Sequence, residues 1–429
     1  MHKKDISRKQ RLISYCVIYL TAIYPLHPAW GSVITSSDKT ITINQQNNIP
    51  IINIATPNDS GVSHNRFNVF NVNKQGAVLN NSQVDANSQL AKKISANKNL
   101  KGNTANLIIN EVVGNSRSQL LGKLEVAGQQ ADVLIANPNG ISCDGCSFIN
   151  TPSITLTTGK PQFSPQGTYS ALEVKKGSIV IGKQGMNADL QNYADIISRS
   201  IEINGKINAK NLSLMQGNNH IDFGKGTVNS INGEGVKPTV AIDTKALGGM
   251  YANQIRLVST EKGVGVNLTD IQTKQNSINL TVDGKITFNG NIQSEQDINV
   301  SSKALQMNSN ASLKAQRDIT LATNTLTNHS DIIAEKDMRL FVDKFTNKGE
   351  KALIQAKDNL WIQKNAQGEP SSLIENQSAT IKTEKGDLII RTKKLVNESI
   401  TPLFKEIKQE PDSTSSINIG THFLHPYNS

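Results

Sequence analysis

The chain has 429 residues, with 45 Lys and Arg against 35 Asp and Glu, a formal net charge of +10, and 4% aromatic residues. A mild excess of positive charge, with no basic stripe interleaved with rings, excludes a nucleic-acid groove and a base-stacking platform. The first 31 residues hold much of that excess. "MHKKDISRKQR" is followed by the twelve-residue apolar run "LISYCVIYLTAI" and then by "YPLHPAWGS". This is the layout of a cleaved secretory signal peptide over residues 1–31, with Ala29 and Gly31 at the small-residue positions before Ser32. A membrane-spanning helix needs about 20 apolar residues, and Pro25, His27 and Pro28 end the run earlier. Cleavage removes five positive charges and one negative, taking the net charge from +10 to +6. It also removes Cys16 and leaves Cys143 and Cys146 as the cysteines of the exported chain.

The exported part is rich in Asn, Ser, Thr, Ile, Val and Gly. Short alternating segments are broken by Asn-Gly, Asp-Gly and Lys-Gly pairs, which are strand and turn signals. The first notable segment is "HNRFNVFNV", residues 64–72, whose apolar residues suit a buried first rung. Next comes "ADVLIANPNG", residues 131–140. Asn137 before Pro138 is biased towards an extended conformation, Pro138 fixes its own φ, and Asn139-Gly140 tolerates positive φ. Together they predict a sharp turn after the strand "DVLIA", either a plain corner of the fold or a rigid feature that a partner can read.

Cys143 and Cys146 follow within "SCDGCS". A structural zinc site wants four ligands, and no histidine lies nearby in sequence. A thioredoxin-like pair belongs at a helix N-terminus in a βαβ unit, which the surrounding pattern lacks. An intrachain disulfide closing the turn from Ser142 to Ser147 suits an exported chain in an oxidising compartment. So short a loop contributes near the low end of disulfide stabilisation. Residues 183–200, "KQGMNADLQNYADIISRS", are the best helix candidate in a chain otherwise nearly free of helical spacing.

From residue 255 an apolar–x–apolar unit recurs. Its first positions are Ile255, Ile278, Ile298, Ile319, Met338, Leu360 and Leu388, with gaps of 23, 20, 21, 19, 22 and 28 residues. Strand content with a period near 20 predicts an all-β solenoid. One such coil cannot bury its own apolar face, and stacked coils bury a continuous core. A β-sandwich would not hold one period over this length. Asp297, Asp318 and Asp337 enter successive turns and predict a solvated ladder rather than the paired carboxylates of a polysaccharide-processing β-helix enzyme. No nucleophile elbow, phosphate loop, zincin helix or EF-hand loop is present, so no catalytic, cofactor-binding or metal-binding residue is expected. After about Asn397 the strand pattern fades, and residues 400–429 read as an irregular, Pro-containing tail.

Three stretches carry a more specific likeness: "NIPIINIATPNDSGVSHNRFNVFNVNKQGAVLNNS", "NEVVGNSRSQLLGKLEVAGQQADVLIANPNGISCDGCSFINTP" and "AIDTKALGGMYANQIRLVSTEKGVGV". They resemble, in order over roughly residues 33–270, the N-terminal secretion domain of two-partner-secretion (TpsA-type) exoproteins. The filamentous haemagglutinins, the haemolysins of that system and the CdiA-type contact-dependent growth-inhibition proteins are the similar groups. The resemblance implies a right-handed parallel β-helix with a capped N-terminus over residues 32–270, and haemagglutinin-type repeats over residues 271–399. It implies Sec export, then recognition by the POTRA domains of a TpsB-type outer-membrane transporter, and a secreted or cell-surface location in a Gram-negative bacterium. The family's secretion motifs fall on Asn68 and Asn71 within "NVFNV" and on Asn137, Pro138, Asn139 and Gly140, with Asn115 in "GNSRSQLLG" as a further match. The cysteine pair is similar to that of the haemolysin-like and growth-inhibition members. The expected role is a shaft for adhesion or toxin display towards a host or neighbouring-cell receptor. A pore-forming haemolysin is the second expectation, opposed by the polar-faced repeats. Growth-inhibition proteins of this kind continue into a separate toxin domain, so the chain reads either as the front of a longer exoprotein or as a short secreted protein.

Overall fold

In the computed structural model, which describes residues 34–399, the recurring apolar positions stand in one column. Ile255 pairs with Ile278, Ile278 with Ile298, Ile298 with Ile319, Ile319 with Met338, Met338 with Leu360, and Leu360 with Leu388, all in parallel register. The first six are fully buried. Every second residue of a strand points the same way, so stacking identical rungs aligns Ile, Leu and Val into one core from Ile34 to Ile381. The chain is a parallel β-helix, and a β-sandwich is ruled out by the parallel ladder. The expected signal peptide, residues 1–31, and the tail, residues 400–429, lie outside the described residues.

Each coil continues several ladders at once. The strand Ile298–Met307 pairs through its first half with Ile278–Val282 and through its second with Lys285–Phe288, which are separate strands one coil earlier. Asp270–Thr273 pairs with Gly249–Ala252 on one side and Asn291–Ser294 on the other, so the ladder runs unbroken past residue 270. The acids at the turns are more than solvated. Asp297 accepts the backbone N–H of Asp318, Asp318 that of Asp337, and Asp337 that of Asn359. Arg339 bridges Asp318 and Asp337 at 3.0 and 3.2 Å, which offsets the repulsion of stacked carboxylates.

The N-terminal end is closed by antiparallel pairing. Thr42–Gln46 and Ile49–Asn53 form a hairpin across Asn47 and Asn48, both at positive φ, the conformation that a tight hairpin turn requires. Ile34–Ser36 runs antiparallel to Val62–Phe70. Ile34 and Ile52 of these strands, and Ile41 just before the hairpin, join the core cluster of the first rung, where Phe67 and Phe70 are buried with ring centroids 5.0 Å apart.

Residues 183–200 are not helical. Met186–Ser198 is a strand with Met186, Ala188, Ala194, Ile196 and Ser198 turned inward. A register shift between Ala188 and Tyr193 interrupts the alternation, and it is this inserted run that mimics helical spacing. Gln191 sits inside the bulge and donates from Nε2 to the carbonyls of Phe148 and Thr151.

A four-stranded antiparallel sheet outside the helix was not anticipated. Its strands, in order, are Lys160–Phe163, Tyr169–Val174, Asn219–Asp222 and Thr227–Ser230. Leu172, Val174 and Ile221 pack on Ile197 and Met215 of the helix wall, and Phe163 and Tyr169 pack on Val62, Ile109 and Leu134. Asp195 lies in this wall, and burial raises its pKa from 3.8 to about 6, with Arg256 pulling the other way. A pKa raised by folding stabilises the native state below the unfolded value, and that contribution is lost as pH rises through about 6. Asp195→Asn should therefore stabilise the protein at pH 7 by about 2–3 kcal/mol. It should also flatten the pH dependence of stability between about 4 and 6. Denaturant titrations of both proteins across that range check this, and parallel curves would contradict it.

Candidate functional site: a turn built across three coils

The segment Gly114–Gln119 lies between the two motif regions and joins them. Asn139 donates from Nδ2 to the carbonyl of Gly114 at 2.7 Å. On its other side Gly114 presses against Asn68, whose carbonyl oxygen would stand 2.1 Å from any Cβ at that position. Only glycine fits such an approach. Asn71 accepts the backbone N–H of Gln119 at 2.8 Å. Asn137 donates from Nδ2 to the Ser116 carbonyl and to Ser118 Oγ, both at 2.9 Å, and accepts the Asn139 N–H at 2.9 Å. Three stretches far apart in sequence thus meet on one corner of the helix.

The exposure of these residues sorts their roles. Asn137 and Gly140 are buried, Pro138, Asn139 and Asn71 are half-buried, and Asn68 and Asn115 are exposed. Asn137 is a fully satisfied buried amide that holds the turn's shape. The atoms open to a partner belong to Pro138, Asn139, Asn68 and Asn115. The turn is closed by Gly140 N–H donating to the Asn137 carbonyl at 2.9 Å, with Gly140 at φ +110°.

Arg117 was missed by sequence reasoning. Its guanidinium donates to Ser142 Oγ, Ser178 Oγ and the carbonyls of Ile141 and Ser178 at 2.8–3.0 Å. Burial pushes its pKa down, and Glu202 pulls it back up. The side chain spans from the coil before the turn to the coil after it and lies directly over Gly140. The only local signal was an arginine inside the otherwise uncharged "GNSRSQLLG".

Cys143 and Cys146 are joined by a disulfide across Asp144 and Gly145, with Cα atoms 5.4 Å apart. Both are buried, Cys143 between Leu120 and Ile181 in the ladder and Cys146 beside Met186. The bridge ties the strands Ile141–Cys143 and Cys146–Ile149 at the corner that follows the turn. It fixes the path of the chain leaving Gly140.

The model of the TPS secretion domain matches residues 31–288. Over 315 residues the chain is 46% identical to the tRNA nuclease CdiA of Yersinia mollaretii, covering 73% of this chain and 10% of the relative. It is 47% identical over 297 residues to the 16S rRNA endonuclease CdiA of Enterobacter cloacae, covering 68% of this chain and 9% of that one. The chain thus spans about a tenth of the length of these curated relatives. Among solved structures, the filamentous hemagglutinin secretion domain superposes with a TM-score of 0.53 at 26% identity, covering 85% of this chain and 99% of that one. The chain belongs to the TPS secretion domain family, the secretion domain of CdiA- and filamentous-haemagglutinin-type exoproteins.

Proposed function

We propose that residues 32–270 direct the chain through a dedicated TpsB-type outer-membrane barrel, whose periplasmic POTRA domains read the corner built from Asn137–Gly140, Asn68, Asn71 and Asn115. The Sec translocon delivers the chain to the periplasm by way of the signal peptide. Residues 271–399 form the base of a shaft displayed at the cell surface of a Gram-negative bacterium, for adhesion or contact-dependent growth inhibition. The observation that carries this reading is the meeting of the two motif regions on Gly114, with Pro138 and Asn139 half-exposed beside it. Pro138 stiffens the turn, so the corner presents one fixed shape to a partner. We assign no catalysis to these coils, because the stacked carboxylates are occupied by backbone amides and by Arg339.

Two substitutions test the reading. Pro138→Ala loosens the turn while leaving every hydrogen bond of Asn137 and Asn139 available. Asn139→Asp replaces the donor to Gly114 with a carboxylate oxygen facing a carbonyl. Both should lower the amount of protein in the medium several-fold while the periplasmic pool persists, with Asn139→Asp the more severe. Immunoblots of medium and periplasm measure this, and secretion equal to wild type for both variants would remove the recognition role.

A further inference from the structure

The sequence places a glycine directly after Asn139, Asn204, Asn232 and Asn289. An asparagine in that position can cyclise on its own backbone, because the missing Cβ leaves the next amide nitrogen open to the side-chain Cγ. The reaction needs a side chain free to rotate and a backbone free to leave the extended conformation. Folding withholds both from three of the four pairs.

Asn139, Asn204 and Asn289 are half-buried corners next to ladder strands. Asn139 Nδ2 is held by the Gly114 carbonyl, Asn204 Nδ2 donates to Glu202 Oε1 at 2.7 Å, and Asn289 accepts from Asn308 Nδ2. Their backbone N–H groups are pinned at 2.8–2.9 Å, to Asn137 Oδ1, the Ile181 carbonyl and the Leu268 carbonyl in turn. The glycines are enclosed as well. Gly140 lies under Arg117, Gly205 faces the Gly182 carbonyl, and Gly290 faces Asp270 and the Thr269 backbone.

Asn232 and Gly233 differ in each respect. Both are exposed, in the irregular segment 231–239 between the outer-sheet edge strand Thr227–Ser230 and the strand Val240–Thr244. Among the described residues no hydrogen bond holds the Asn232 side chain or the Gly233 N–H. The segment is fixed on either side of the pair, where Ile231 N–H donates to the Asn218 carbonyl at 3.0 Å and Glu234 N–H to the Lys175 carbonyl at 2.9 Å.

We propose that Asn232 is a self-modifying site, which converts in the folded chain to aspartate and isoaspartate. The Gly233 N–H gives its proton to solvent and the nitrogen bonds to Asn232 Cγ, while the Cγ–Nδ2 bond breaks and ammonia leaves. Water then opens the five-membered imide. Cleavage of the new N–Cγ bond gives aspartate. Cleavage between the nitrogen and the main-chain carbonyl carbon gives isoaspartate, in which the chain runs through Cβ. Either product adds a negative charge to the segment, and isoaspartate adds one carbon to its backbone between the Ile231 and Glu234 anchors. Each chain thereby carries a covalent mark of its age.

The test is peptide mapping by mass spectrometry, with enzymatic methylation to detect isoaspartate. Purified full-length chain is aged at body temperature in mildly alkaline buffer, either native or unfolded in urea. In the native chain Asn232 should convert at least about tenfold faster than Asn139, Asn204 or Asn289, whose reaction waits on local opening. In urea all four should convert at comparable rates, and mildly acidic buffer should slow them, since the attacking nitrogen must lose its proton. Gly233→Val should slow conversion at position 232 even in urea, where folding has no part. An Asn232 that reacts in urea but stays intact in the native chain overturns the proposal, because the segment is then held. Conversion of all four at one rate in the native chain overturns the protection on which it rests. An Asn232 that stays intact in urea overturns the chemistry.

Discussion

Replacing Ile319 by Asp should open the shaft between about residues 300 and 340 while leaving the coils before residue 250 resistant to protease. Ile319 is fully buried, and its rung is paired with Ile298 below and Met338 above. A carboxylate placed there has only apolar neighbours in its column, and an uncompensated buried charge costs roughly 3–5 kcal/mol. In a solenoid each coil contacts only its neighbours, so the cost is spread over about one coil on either side. The N-terminal coils keep their own cap, the hairpin Thr42–Gln46 and Ile49–Asn53, and have no need of the shaft. Limited proteolysis with mass spectrometry of the fragments reads the outcome. Cleavage spread evenly along the chain would show that the helix unfolds as one unit.

The second large effect falls on the turn. Gly140→Val should lower both stability and export, whereas Pro138→Ala should lower export with little change in stability. At φ +110° a β-branched residue is strained. Its Cβ would also meet Arg117 Nη1 at 2.3 Å and the Ser178 carbonyl at 2.8 Å. Relief requires Arg117 to release the carbonyls and hydroxyls that it holds on two coils. The combined cost is about 2–4 kcal/mol. Denaturant unfolding and the ratio of medium to periplasmic protein separate the two variants. A stable but unexported Gly140→Val would assign the glycine to recognition rather than to shape.

The shaft was legible because its information is local and repeated. An apolar residue at every second position, renewed about every 20 residues, defines both the inward face and the stacking register, so the column from Ile255 to Leu388 could be read without a structure. The same logic failed where a coil carries an insertion. In Met186–Ser198 the bulge around Gln191 breaks the alternation, and the remaining apolar spacing imitates a helix. The outer sheet was invisible because its strands repeat nothing and pack on outward-facing residues, such as Ile197 and Met215, that alternation assigns to solvent.

The site divides in the same way. The bend at Asn137–Gly140 follows from the backbone preferences of four adjacent residues. Its closure by Arg117 depends on Ser178 in the next coil, a separation that no local pattern encodes. Gly114 is intermediate. It opens the motif stretch "GNSRSQLLG", but its function as the spacer between Asn68 and Asn139 appears only in three dimensions.

The central claim is that this chain is carried out of the cell by a dedicated barrel that recognises its N-terminal coils. The most direct measurement is the amount of full-length chain in the medium of cells that differ only in whether the POTRA-containing transporter is present. The chain should reach the medium when the transporter is made and stay in the periplasm when it is not. Equal amounts in the medium with and without the transporter would contradict it.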